Sequence, residues 1–307
     1  MPAADGGGAR ARFLAAAAPA LFVVLWATGF IGARMTMPHA EPMILLVMRF
    51  ALAGAVLLLA AAVMRSPWPR RRALVHVAVA GILIQAIYLG GVFAATRLGL
   101  EAGVSALIVG VQPLVTAALA GPVLGERVGP VKWAGLALGA LGVALVIEQK
   151  LEAGLGTPLA VGLCTVSLFA IAIGTLYQKR FAAAEPIVTA TIVQYGASAL
   201  LCLALSFLFE TRAVDWTGTL VFGLVWLALV LSCGAVTLLY WLLRHGAAAN
   251  VASLFFMVPP CAALMGWALF GETMSGSALL GMALAAAGVA TVSRAGARSV
   301  PAAGPMR

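Results

Sequence analysis

The chain of 307 residues is 63% hydrophobic and only 9% charged, and its net charge is +9 at neutral pH. Soluble domains carry about 25% charged residues, so this composition excludes a water-soluble globular protein and indicates a chain embedded in lipid. The four cysteines all lie inside apolar stretches, and their spacings match neither a zinc site nor a disulfide framework.

Apolar stretches of about 20 residues, the length of a helix that crosses a bilayer, recur along the chain. The first follows two arginines as a signal peptide would, but it is too long and lacks a clear cleavage site, so we expect it to be retained. The short breaks between the stretches carry nearly all the charge. We predict an all-α integral membrane protein with ten transmembrane helices, at residues 14–35, 43–64, 73–96, 102–124, 131–148, 158–178, 186–209, 216–243, 248–270 and 275–293.

The basic residues are distributed unevenly between the two sides of the predicted bundle. With the N-terminus inside and the helices alternating, 14 of the 19 Lys and Arg residues fall in inside segments and four fall outside. This asymmetry follows the positive-inside rule and predicts that residues 1–13 and 294–307 are cytoplasmic tails. It also explains the net charge without a nucleic-acid partner, because no basic stripe with interleaved aromatic residues is present.

One segment of the chain occurs twice. GVQPLVTAALAGPVLGERV and FMVPPCAALMGWALFGETM are both apolar runs interrupted by proline, and both have Gly-Glu near their ends. Pro113 and Pro259 stand 146 residues apart, and so do Glu126 and Glu272. The chain therefore consists of two related halves.

Each predicted half contains five helices, and HAEP at 39–42 and AAEP at 183–186 begin the second helix of each. Because five is odd, the second half enters the membrane from the opposite side. This predicts an inverted-topology repeat, 14–148 and 158–293 joined by a loop at 149–157. Such repeats are typical of secondary transporters, in which two half-bundles alternately expose a central site.

Matching interruptions in the two halves indicate where that central site lies. A proline in a helix frees a backbone carbonyl, which in lipid needs a partner or a water-lined cavity, although a simple packing kink is the alternative. Gln85 and Tyr88 share a face of the third helix, and buried glutamines either join helices or contact substrate. Each aromatic residue has the alternative of an ordinary core or lipid contact. The predicted substrate-binding residues are Trp26, Phe30, Gln85, Tyr88, Gln112, Pro113, Thr116, Phe169 and Pro259.

Arg49 is the only basic residue well inside a predicted span. Its long side chain can reach the outer interface and pair with Glu41 or Glu101, which is the role we favour, or it can contact a substrate carboxylate. We group Arg49 with three other residues expected to have structural or gating roles, namely Glu126, Glu272 and Pro260.

No carboxylate or histidine lies at the membrane midplane, because all ten acidic residues fall in tails, loops or helix ends. Proton-coupled exporters of cationic drugs use a buried carboxylate, so we expect transport that is not driven by protons and substrates that are neutral zwitterions. Intramembrane proteases need a carboxylate pair or a Ser–His dyad, and no nucleotide-binding fingerprint occurs. We therefore expect neither an enzyme nor a bound cofactor or metal.

The combination of ten spans, an odd-helix repeat, Trp-Ala-Thr-Gly-Phe at 26–30, Arg49-Phe50 and proline followed by Gly-Glu resembles the drug/metabolite transporter superfamily, EamA type. Within it the chain is most similar to bacterial exporters of amino acids, aromatic ones among them. The resemblance implies an inner-membrane exporter of small metabolites, with its cavity lined by helices 1, 3, 4, 6, 8 and 9 and with helices 5 and 10 peripheral. We expect a monomer whose partners are the substrate and the lipid bilayer. The alternative within the superfamily is a proton-coupled drug transporter or a nucleotide-sugar carrier.

Overall fold

The fold is a bundle of helices, seen in a computed structural model that describes residues 6–100, 105, 108–147, 157–270 and 276–298. Glu101 and Glu272 lie outside these residues. The described part of the chain forms ten helical stretches, α1 Gly6–Thr36, α2 Pro42–Met64, α3 Arg71–Arg97, α4 Ile108–Leu124, α5 Pro130–Ile147, α6 Pro158–Ala182, α7 Ile187–Phe209, α8 Gly218–His245, α9 at 248–270 and α10 Gly276–Arg298.

Five of these helices, α2, α3, α6, α7 and α8, are long and apolar enough to cross a membrane. The other five contain shorter apolar helical segments. Large apolar side chains lie on the outside of the bundle, among them Leu59, Val63 and Phe209, which are 68%, 77% and 79% exposed. A surface of this kind is stable against lipid rather than water. The predicted all-helical membrane fold is confirmed, and the count of ten crossings stays a prediction.

Local sequence signals account for several helix ends. Pro42 and Pro158 occupy the first helical turn of α2 and α6, where proline's missing N–H costs nothing. The Thr157 side chain caps the start of α6. Gly125 ends α4 with a φ of +70°, a left-handed conformation that glycine adopts without steric penalty.

Helices α5 and α10 pack backbone to backbone along a seam of glycines. A methyl group added at Gly142 would lie 2.4 Å from the Ala285 nitrogen and 2.6 Å from the Gly281 oxygen. One added at Gly288 would lie 2.6 Å from the Gly135 oxygen. The later residue of α5, Gly142, contacts the earlier residue of α10, Gly281, and Gly135 contacts Gly288, so the two helices are antiparallel. Residues 142 and 288 occupy equivalent positions in the two halves, 146 residues apart, and so do residues 135 and 281. The contact of Gly142 with Gly281 is therefore the repeat equivalent of the contact of Gly288 with Gly135.

Helices α2 and α7 form a second antiparallel pair. At one end the Glu210 carboxylate accepts the backbone N–H groups of Met43 and Ile44, at 2.6 and 3.0 Å. At the other end the Thr189 hydroxyl donates to the Pro67 carbonyl at 2.7 Å. Thus α2 and α5 each pack antiparallel against the helix at the equivalent position in the second half.

Four helices depart from regular α geometry near the centre of the bundle. Helix α3 contains a π-helical segment, Ile82–Ile87, and α8 contains another, Leu227–Ala235. These segments occupy corresponding positions in the two halves. Helix α4 has a turn at Val111, just before Gln112, and α9 has a 3₁₀ segment, Leu254–Met257. The interruptions predicted in the fourth and ninth helices are present, and the structure adds a matched pair in the third and eighth.

Candidate functional site

A crevice lies between α4, α6, α8 and α9. It is lined by Gln112, Thr175 and six apolar residues of α8 and α9, including Phe255 from the 3₁₀ segment. Its void totals about 160 Å³ and is nowhere wide enough to hold a water molecule. Ligand sites usually offer about 300–1,000 Å³, so this conformation is closed and the helices must separate before a metabolite enters.

Gln112, which lines the crevice, has an unsatisfied polar atom. Its side-chain nitrogen donates to the Thr116 hydroxyl at 3.0 Å, and both residues are buried. Its side-chain oxygen is buried and has no hydrogen-bond partner in the described part of the chain. A buried carbonyl oxygen without a donor costs about 1–3 kcal/mol. Pro113 follows directly and is also buried, so the structure brings Gln112, Pro113 and Thr116 together as predicted.

Aromatic residues connect this crevice to α1 and α3. Trp26 and Phe255 meet edge to face with ring centroids 5.2 Å apart, and Phe255 lines the crevice. Tyr88 is buried and lies within hydrogen-bonding reach of Trp26. Gln85, in the π segment of α3, donates its amide N–H to the Tyr240 hydroxyl of α8 at 3.2 Å. The first and third helices therefore contribute to the same central layer.

Arg49 is buried, with 2% of its surface exposed, and it reaches α8 rather than the outer interface. Its Nε–H donates to the Ser232 hydroxyl at 2.8 Å, while the Tyr195 hydroxyl donates to the Ser232 carbonyl. No carboxylate among the described residues pairs with Arg49. The predicted pairing with Glu41 is not formed, because that carboxylate is held by other groups.

Glu41, which immediately precedes α2, is bound by several donors at the end of the bundle that carries the α1–α2 and α7–α8 loops. It accepts hydrogen bonds from the backbone N–H of Arg212 at 2.6 Å and from the Thr211 hydroxyl at 3.1 Å. Arg97 pairs with it at 3.2 Å. Burial by itself raises the pKa of Glu41. The hydrogen bonds and the Arg97 charge lower it by more than burial raises it, so the pKa of Glu41 lies below the ordinary 4.5.

Glu126 connects the two halves at the predicted cytoplasmic end, the end with the α2–α3, α4–α5, α6–α7 and α8–α9 loops. Its carboxylate pairs with Lys179 of α6 at 2.9 Å and accepts the Ala248 N–H at the start of α9, at 3.2 Å to both oxygens. Lys179 also donates to the Gly246 carbonyl. Ala248 lines the crevice, so this cluster lies directly at its edge.

The remaining predicted residues are placed as follows. Phe169 is 47% exposed on the outer surface of α6, away from the crevice. It shares an exposed face of α6 with Val166 and Ile173, three residues before it and four after it. Pro259 is half-buried and Pro260 is buried just after the 3₁₀ segment. The side chain of Phe30 and all of Glu272 lie outside the described residues.

Sequence reasoning missed Ser232, Tyr240 and Phe255. Ser232 and Tyr240 lie eight residues apart on α8, close to two helical turns, and therefore share one face. That spacing was the available signal, but polar residues within a long apolar run are easily taken for helix-packing contacts. Phe255 gave no signal, since phenylalanine is common throughout such helices.

A multi-helix membrane protein with a closed central crevice, and with halves joined by charged contacts at its ends, has the construction of a transporter. Comparison with known proteins agrees. The chain belongs to the EamA-like transporter family, which matches it twice, over residues 14–148 and 158–294. The predicted family resemblance is confirmed, and the protein is a transporter rather than an enzyme.

Curated relatives resemble the chain over most of its length. It is 27% identical over 255 residues to "Uncharacterized inner membrane transporter YedA" of Escherichia coli K12, covering 82% of this chain and 81% of that protein. It is 27% identical over 281 residues to a "Probable amino-acid metabolite efflux pump" of Salmonella typhimurium, covering 88% and 91%. A solved structure described as "Crystal structure of protein" has a TM-score of 0.77 at 19% identity, covering 92% of this chain and 98% of that one. These likenesses indicate a multi-pass inner-membrane transporter of small molecules.

Proposed function

We propose that the protein exports amino acids, neutral and aromatic ones included, across the bacterial inner membrane. The observation that carries this proposal is Gln112, which lines a crevice otherwise formed almost entirely by apolar residues and whose buried side-chain oxygen has no described hydrogen-bond partner. An ammonium group supplies the donor that this oxygen lacks. The apolar residues of α8 and α9 offer a surface for an apolar side chain. The similarity to a probable amino-acid metabolite efflux pump supports the same substrate class.

We propose transport by alternating access between two inverted five-helix halves, with both termini cytoplasmic. The antiparallel packing of α2 on α7 and of α5 on α10 supports this arrangement, because helices at equivalent positions run in opposite directions. The matched π segments in α3 and α8 support it as well. The Glu126–Lys179 contact is the proposed gate at the cytoplasmic end, and Glu272 is its proposed counterpart on sequence grounds.

The proposed energy source is the gradient of the transported solute. Among the described residues the crevice is lined by Gln112, Thr175 and apolar residues, none of which is titratable. A proton-coupled drug carrier would need one there. We expect labelled phenylalanine, threonine and methionine to cross proteoliposome membranes in a saturable manner, with or without an imposed pH gradient. Flux that occurs only with a pH gradient would replace the facilitator by a proton-coupled carrier, and no flux would refute this substrate class.

Gln112→Ala tests the site itself and Gln194→Ala serves as the matched control. Gln194 is also fully buried and its side-chain oxygen also lacks a partner, but it lies on α7 and does not line the crevice. We expect Gln112→Ala to slow amino-acid flux about tenfold, the loss of one hydrogen bond to a charged group, with little change in folding. Gln194→Ala should retain flux in whatever protein remains folded. Equal loss in both variants would show that Gln112 acts through packing.

A further inference from the structure

We propose that Arg49 binds the carboxylate of the transported molecule, so that the carrier selects acids over amines. This inference rests on the proposed function and adds to it the chemical group that the substrate must carry. The structure supports it through the state of the Arg49 guanidinium, its neighbours and its distance from the membrane surface.

The Arg49 guanidinium is short of partners. Guanidinium carries five N–H donors, and a buried one is stable only when paired with an anion and hydrogen-bonded. In the described part of the chain it makes a single hydrogen bond, from Nε to the neutral Ser232 hydroxyl, and no ion pair. The two terminal nitrogens therefore have no described acceptor. A carboxylate fits these two nitrogens because it can accept from both at once.

Arg49 also has no route to the membrane surface. It lies seven residues into α2, which at 1.5 Å per residue is about 10 Å from the start of the helix. Its side chain is 2% exposed and extends inward to α8, where Ser232 lies in the π segment. A structural arginine of this length would reach the interface or a carboxylate. Of the two carboxylates expected to pair with Arg49, Glu41 is bound instead by Arg97 and the Arg212 backbone, and Glu101 lies outside the described residues.

Among the described residues, aromatic side chains of α3, α1 and α9 connect the neighbourhood of Arg49 to the crevice. Tyr88 is close enough to Arg49 for an electrostatic interaction, and it lies within hydrogen-bonding reach of Trp26. Trp26 contacts Phe255, which lines the crevice. We infer that separation of α1 and α9 at these rings, together with movement of Tyr88, opens a path from the crevice to Arg49. A zwitterion could then place its carboxylate at Arg49 and its ammonium at the acceptor atoms of the central layer.

The site has no second cation among these neighbours, which limits the class of substrate. Tyr88, Tyr195 and Cys233 are the groups that act on Arg49, and all are neutral when protonated. One guanidinium balances one carboxylate. We therefore infer monocarboxylates, amino acids foremost, rather than the phosphate or diphosphate groups that several basic residues would bind.

The test uses ligand-induced thermal stabilisation of the purified protein, because it does not depend on transport. The probes are phenylalanine, 3-phenylpropionate, which keeps the carboxylate, and 2-phenylethylamine, which keeps the ammonium. We expect the two acids to stabilise the wild type at concentrations at least about tenfold lower than the amine does. Arg49→Gln should abolish this preference, and Arg49→Lys should keep part of it.

Ser232→Ala separates binding from packing, because it removes the Arg49 hydrogen bond while leaving the charge. It should retain the preference for acids. A wild type stabilised equally by amine and acid, or an Arg49→Gln variant that keeps the preference, would overturn the inference. If Arg49→Gln does not fold, the preference for acids over the amine is compared between the wild type and Arg49→Lys. An undiminished preference in Arg49→Lys would then overturn the inference. Selective binding of acids without flux of any amino acid would refute the proposed transport while leaving this site in place.

Discussion

The glycine seam between α5 and α10 gives a prediction whose size follows from the structure. An alanine at Gly142 would place its methyl carbon 2.4 Å from the Ala285 nitrogen and 2.6 Å from the Gly281 oxygen, where ordinary contact begins at 3.4 Å. Both clashing atoms belong to the backbone and no rotamer change relieves them. The helices must separate by about 1 Å, the difference between those distances. Over-packing of this kind costs about 1–3 kcal/mol.

Gly196→Ala is the matched control for Gly142→Ala. Gly196 lies inside α7, and a methyl group there would meet nothing within 4 Å. Alanine is favoured over glycine in a helix interior by about 0.5–1 kcal/mol, so this control should be neutral or stabilising. Both variants share the same chemical change, and only the contact at the seam differs.

The assay is reversible unfolding of the purified protein in detergent micelles, followed by circular dichroism against an unfolding detergent. We expect Gly142→Ala to lower the unfolding free energy by about 1–3 kcal/mol relative to Gly196→Ala. Gly288→Ala should cost a similar amount, because its contact with Gly135 is the pseudo-symmetric equivalent. The double variant at 142 and 288 should cost less than the sum, since the first methyl has already moved the helices apart. Unchanged stability in Gly142→Ala would refute the close antiparallel packing.

Two further predictions concern the charged contacts at the ends of the bundle. Glu126→Gln keeps an acceptor for the Ala248 N–H but loses the pairing with Lys179, whose side chain is only 21% exposed. We expect the cytoplasmic end to open roughly fivefold more often, the equivalent of about 1 kcal/mol. The measurement is the rate of alkylation of a cysteine placed at Ala252, which should rise. Slower or unchanged alkylation would contradict the gate. At the other end, Glu41 has a lowered pKa, so its contribution to stability is fully present above pH 4.5 and is lost as the pH falls through its folded pKa. Glu41→Gln should therefore be less stable than wild type near pH 6 and converge with it in acid, and a constant difference across that range would show that Glu41 stabilises through packing alone.

Most of the fold could be predicted from the sequence because the bilayer imposes strong rules on a chain. Helix length, apolar composition and the placement of charge are all set by lipid, and they gave the helical bundle. The repeat was visible through Pro113 and Pro259, since proline is the residue least interchangeable with others in an apolar run. The matched π segments of α3 and α8 were invisible, because π geometry depends on how neighbouring helices pack.

The candidate site was only partly predictable. Gln112 and Thr116 stand four residues apart on one helix, so sequence spacing alone brings them together. Gln85 and Tyr240 are 155 residues apart, and only the fold shows that they meet. Phe169 is the reverse case, since an aromatic residue in an apolar helix can face either the lipid or the interior. Which face of α6 is buried follows from its neighbours rather than from its own sequence.

Arg49 shows that a charged residue within a membrane helix cannot be assigned a partner from its neighbours in the sequence alone. The surface anchor was the simpler interpretation, because a carboxylate stood eight residues earlier in the chain at Glu41. The structure assigns that carboxylate to the α7–α8 loop, where it joins the two halves. Within the described part of the chain, Arg49 is thereby left inside the bundle with one neutral hydrogen-bond partner, Ser232. A cation is not kept at that depth for stability, because its desolvation cost exceeds what a single serine hydroxyl returns. In the proposed site the anion that completes it arrives with the transported molecule, and its binding and release would couple the charge of Arg49 to each transport cycle.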